Sequence, residues 1–184
     1  MLNIGSRSSP SVLNLVLIVI VIIAVADYVF ISLDTDDWIW SMNRFAETPN
    51  RVIVHCYGKS INLDWGSNHL STLAEIMNEI MSGQKRYDPL SMSLETYQDY
   101  QHSSGMMTIE FFYSAALRLN NEIQAYSGVD HLVIPLEGRH ARTDAIFGQN
   151  QGIPIAGSLH VDSTERLREY LRNENICLTA TSTQ

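Results

Sequence analysis

The stretch VLNLVLIVIVIIAVADYVF, residues 12–30, decides how the rest of the chain is housed. A helix needs roughly 20 apolar residues to cross a hydrocarbon core of about 30 Å. Residues 12–31 meet that length, with Asn14 and Asp27 as the only interruptions. Leu, Ile and Val lie on every side, so the segment lacks the polar face of a helix that rests on a membrane. Asp27 stands about one turn from the outer end, where a carboxylate reaches the interface at little cost.

The flanks give the direction. Arg7 and no acid precede the run, whereas Asp34, Asp36 and Asp37 follow it before any base. Positive charge stays on the cytoplasmic side, so the arm 1–11 is expected inside, the anchor spans 12–31 in the bilayer, and the remainder lies outside. Tyr28, Trp38 and Trp40 are placed to form the interfacial aromatic belt. Ala24-Val25-Ala26 has the form of a signal-peptidase site, but the apolar run continues through Tyr28–Leu33, which favours a retained signal-anchor.

Residues 34–184 hold nineteen of the twenty acids and eleven of the twelve bases, and so the whole net charge of −8. That balance opposes nucleic acid and anionic lipid surfaces. Cys56 and Cys177 are too few for a disulfide framework. Strand alternation groups Cys56 with Val52 and Val54, while Cys177 alternates against Ile176 and Leu178. The two thiols are therefore expected on opposite faces, which argues against a bridge although an extracytoplasmic setting permits one. No Asn-x-Ser/Thr sequon occurs. Together these features point to a single-pass protein of a bacterial cell membrane.

Residues 32–50 read as a stalk and 179–184 as a disordered tail. Between them, residues 51–178 read as one α+β domain: a small mixed sheet with about three helices over one face. Residues 51–64 form a hairpin turning at Gly58-Lys59. Asn68 caps a helix with Leu70, Leu73, Met77, Ile80 and Met81 on one face, ended by Gly83. Alternation marks a strand at 107–113, helical spacing marks 115–126, and 129–136 is a strand that Pro135 assigns to an edge. Strands at 145–147 and 153–161 flank a turn. The last helix opens on Asp162 and Glu165 at capping-box spacing, and 176–178 adds a final short strand. Leu73, Met77, Ile109, Phe111, Val133, Ile134 and Leu167 are the expected core.

Chemistry is sparse. His55 and Cys56 are neighbours on a strand and face opposite ways, so the imidazole is not placed to activate the thiol. Arg139, His140 and Arg142 on a Gly-containing loop are the best small-ligand candidates. His160 and Asp162 share a strand face and could serve as metal ligands or as a base with its orienting carboxylate. Tyr87, Tyr97 and Tyr100 stud the polar segment 84–105, which is expected to lie over the surface and contribute to a partner contact, with a short helix near 93–100. No HExxH, Gly-rich phosphate loop, GxSxG or paired CxxC is present, and no cofactor is implied.

The reading that follows is a membrane-anchored, non-catalytic accessory or regulatory subunit whose outer domain binds a neighbouring membrane or envelope protein. The alternative is a small-ligand sensor using the 137–142 loop. A third is a tethered hydrolase or metal enzyme around His160 and Asp162.

Overall fold

The computed structural model describes residues 12–34, 44–64, 66–83, 85–117, 119, 126 and 128–177. The chain divides into two units between Trp40 and Ser41. The first carries helix α1, Val12–Asp34. Its stretch Val12–Phe30 is long and apolar enough to cross a membrane, with none of that window buried. Trp38 and Trp40, the arm 1–11 and the tail from Leu178 lie outside the described residues, as does most of the helix expected at 115–126.

The second unit is α+β. Its strands are β1 (Arg51–Cys56), β2 (Lys59–Leu63), β3 (Arg86–Asp88), β4 (Met107–Phe112), β5 (His131–Glu137), β6 (Ala145–Asn150), β7 (Ile153–Pro154) and β8 (Ser158–His160). Its helices are α2 (Asn68–Met81), α3 (Leu94–His102) and α4 (Glu165–Asn173). The strand order is β2-β1-β4-β5-β6-β8-β3, with β7 paired to β6. Every described pairing is antiparallel, so the sheet is not mixed. Strands adjacent in sequence pair directly at β1–β2, β4–β5, β5–β6 and β6–β7, and such neighbours need no crossover.

Helices cover both faces rather than one. Val52, Val54, Ile109, Phe111, Leu132, Ile134 and Ile146 point toward α2 and α4 and join Leu73, Met77, Leu167 and Leu171 in one core. The alternate residues Val133, Ala145 and Phe147 join Tyr100 and Met92 in a second core under α3. The central strands are buried on both sides, and a sheet of that kind needs two layers of cover. The seven expected core residues are all fully buried, with Val133 in the second layer.

The caps differ from the sequence expectation. Ser67, not Asn68, caps α2, its hydroxyl accepting from the amides of His69 and Leu70. Gly83, at φ +78°, follows the helix as a left-handed stop that costs glycine little. Asp162 is not the cap of α4. Thr164 holds that position, and its amide and hydroxyl both donate to Asp144 Oδ1 at 3.0 and 3.2 Å. Pro135 lies inside the sheet, in β5 between β4 and β6. It is tolerated there because the β5–β6 ladder covers only residues 131–133 and the β4 pairing shifts register between Met107 and Thr108.

Cys56 and Cys177 are bridged, with Cα atoms 5.6 Å apart. The contrary expectation rested on a strand at 176–178. Residues 174–177 instead form a turn closing α4, with Asn175 at φ +55°. Because α4 packs on the Val52–Val54 face, its trailing turn delivers Cys177 to the side on which Cys56 points.

Candidate functional site

The face under α3 carries polar groups where the other face is apolar. Register sets Arg51, Phe112, His131 and Gln149 side by side across β1, β4, β5 and β6. One step along, Glu110 lies opposite Ile53 and Val133, diagonal to both His55 and His131. Glu110, His55 and His131 are almost wholly buried, at 1%, 5% and 4% exposure.

Glu110 is the hub. Its Oε2 lies 3.1 Å from His131 Nε2 and accepts from the Tyr97 hydroxyl at 2.9 Å. Its Oε1 accepts from Gln101 Nε2 at 3.3 Å. His55 Nε2 stands 2.9 Å from the same Oε1, close enough to pair but without the alignment of a directed hydrogen bond. Burial alone raises the Glu110 pKa, but the hydrogen bond from His131, with the close approach and charge of both imidazoles, outweighs it and holds the carboxyl at about 2. Tyr97 is pushed up, first by burial and then by the Glu110 charge.

Further polar groups flank the two imidazoles. His131 Nδ1 lies 3.0 Å from Gln149 Oε1. His55 Nδ1 lies 2.8 Å from Ser60 Oγ. Phe112 stacks on His131 with centroids 4.0 Å apart at 17°, and the Arg51 guanidinium sits 4.1 Å above Phe112. Arg51, Phe112 and His131 form a three-layer stack in which Arg51 is outermost and exposed.

That stack borders an open cleft of about 590 Å³, also lined by Asn50, Asp64, Tyr97, Asp130, Gln149 and Gln151. Among the described residues no carboxylate reaches ion-pair distance of Arg51. The Asp130 carboxylate accepts from the Gln151 amide at 3.1 and 3.2 Å, which fixes one wall.

The residues singled out from sequence sit elsewhere. Arg139 pairs with Asp99 at 2.6 Å on the surface. The His140 amide donates to the Tyr100 hydroxyl at 2.8 Å, and its ring packs edge-on to Phe147. Burial, then Arg139, lowers the His140 pKa. Arg142 is exposed, and none of the three lines the cleft. His160 Nδ1 lies 3.2 Å from the Thr143 carbonyl, and Asp162 is exposed near Lys85, whose pKa burial lowers and Asp162 opposes. Among the described residues no three His, Cys, Asp or Glu side chains are grouped to hold a metal. Tyr87 packs by its edge on Tyr126, Tyr100 is fully buried, and Tyr97 turns inward to Glu110. The segment 84–105 holds β3 and α3, the latter matching the short helix expected near 93–100.

Sequence reasoning passed over Glu110 as the polar half of an alternating strand. One signal was available: His55, Glu110 and His131 all occupy the polar positions of strands whose apolar positions are strongly hydrophobic. Had a second helix been placed over that face, their burial would have followed.

Compared with protein-family models, curated proteins and solved structures, the chain matches none.

Proposed function

We propose that the protein is a membrane-anchored accessory or regulatory subunit whose domain lies outside the cytoplasm and binds a neighbouring membrane or envelope protein, with the cleft beside Arg51 as its recognition surface. The observation that carries this reading is the exposed guanidinium, with no carboxylate at ion-pair distance among the described residues, held on the Phe112–His131 stack at the rim of the cleft. Arg and aromatic side chains held in place are the usual anchors of interfaces. The bridge between Cys56 and Cys177 suits an oxidising compartment.

A catalytic role gains no support from the same geometry. His55 and His131 are almost wholly buried and turned to Glu110, Ser60 and Gln149, and both thiols are consumed in the bridge. A photo-crosslinker at Gln151 should capture a defined partner in membranes, and one at Glu169 on α4 should not. Arg51→Glu should abolish the Gln151 product. Equal capture from both positions, or recovery of the chain alone, would remove the reading.

A small ligand in the same cleft is the second reading, favoured by a volume within the range of small-molecule sites. Thermal shift of the full chain against carboxylate-bearing metabolites separates it from the first. Orientation is tested by C-terminal reporters: alkaline phosphatase should be active and a cytoplasm-dependent fluorescent protein dark.

A further inference from the structure

We propose that Asp27 is a contact point inside the membrane, where a lysine or arginine on a transmembrane helix of the partner pairs with its carboxylate. The proposal rests on the reading of the chain as an anchored accessory subunit, and it narrows the partner to a protein that itself spans the bilayer. Helix α1 runs unbroken from Val12 to Asp34, so Asp27 lies within regular turns and not at a frayed end. Arg7, Ser8, Ser9 and Ser11 precede it and set one edge of the apolar run. Counted from that edge, a core of about 30 Å takes roughly 20 residues and closes near residue 31. The Asp27 Cα then lies about 6 Å inside the other edge.

Depth alone leaves a polar group free to reach back to water, the expectation drawn above for Asp27. The direction of the side chain works against it. In a helix every Cα–Cβ bond tilts toward the N-terminus. Asp27 sits near the C-terminal end of the span, so its carboxylate is aimed at the bilayer centre, whichever end of the helix is cytoplasmic. A lysine stem is long enough to turn back to the interface, whereas aspartate has a single methylene. Hydrocarbon supplies no hydrogen bonds and penalises the charge, and carboxylates in that setting pair with bases of neighbouring helices.

Helix α1 offers no such base. Residues 12–34 contain no Lys, Arg or His. On the face of Asp27, Ile23, Ala24 and Phe30 stand three or four residues away, and all three are apolar and exposed. Lipid tails suit those side chains and do not suit the carboxylate between them. A second copy of the chain would bring another carboxylate to the same depth, where like charges repel. Charge complementarity therefore selects a different chain, with its base at that depth. Ala24, one turn toward the bilayer centre, is small enough to let that helix approach.

The test reconstitutes the full chain in phosphatidylcholine vesicles with synthetic polyleucine transmembrane peptides capped by tryptophans, and reads association by energy transfer. One peptide carries a lysine about 6 Å from the end of its span, one a glutamate there, and one neither. The lysine peptide should associate about tenfold more tightly than the plain one, and the glutamate peptide no better than the plain one. Asp27→Asn should bring the lysine peptide down to the plain level, and Asp27→Lys should transfer the preference to the glutamate peptide. Equal association of the lysine and plain peptides, or a lysine preference that survives Asp27→Asn, would overturn the proposal. So would its loss on adding phosphatidylethanolamine, which would give Asp27 to a lipid amine. Self-association of the chain that Asp27→Asn abolishes would make this face a homodimer seam and overturn it too. The vesicles hold no partner for the cleft, so the two readings fail separately. A Gln151 crosslinker that captures nothing would sink the recognition surface and leave Asp27 untouched, and equal peptides beside a sound Gln151 product would do the reverse.

Discussion

The two faces of the sheet are held by opposite physics. Toward α2 and α4 the strands present Val52, Val54, Ile109, Phe111 and Ile134, and stability comes from area removed from water. Toward α3 the same strands present His55, Glu110 and His131, and the layer is held by polar contacts that converge on one carboxylate. The apolar face tolerates imperfect fits because dispersion and transfer terms are shared among many atoms. The polar face fails all at once, since removing one member strands the others without partners. One layer secures the fold, and the other borders the cleft.

The largest test of that contrast is Glu110→Ala, which leaves His55, His131 and Tyr97 buried without their acceptor. It should cost about 3–5 kcal/mol, measured by denaturant unfolding. If it costs no more than an ordinary surface change, the cluster is not a unit. Leu73→Ala on the opposite face removes a fully buried side chain and should cost about 2–4 kcal/mol, with α3 keeping its exchange protection.

Acid gives a smaller and more selective effect. The folded Glu110 pKa of about 2 lies below its ordinary 4.5, so its contribution is complete above about 4.5 and is lost as pH falls toward 2. Glu110→Gln should flatten that limb in thermal unfolding, and an unchanged limb would assign it to other carboxylates. Smallest in stability is Arg51→Ala, which forfeits only the contact with Phe112 and should cost under about 1 kcal/mol. Its partner capture should nevertheless disappear, and a variant that still binds would move the interface off the cleft rim.

Most of the first face was legible in the sequence, because apolar periodicity at Leu70, Leu73 and Met77 and alternation through Ile109 and Phe111 report burial directly. The second face was not. Local alternation reads Glu110 and His55 as solvent-facing, and only the placement of α3, a tertiary fact, reverses that. Tyr97 and Gln101 are four residues apart and share one helix face, yet their target on β4 is not a local property. The bridge was missed for a similar reason: a turn was read as a strand, and a turn carries no alternation from which to infer a facing side.

That bridge has a mechanical meaning. It joins Cys56, at the end of the first strand, to Cys177, 121 residues later. Tension applied between the N-terminal tether and the C-terminal tail would run through residues 51–56, cross the sulfur atoms, and leave at residue 177. Everything from β2 to α4 hangs from that short covalent path as a closed loop and carries none of the load. The backbone between the two cysteines is therefore spared the pull, which meets the buried cluster at His55 and the cleft at Arg51.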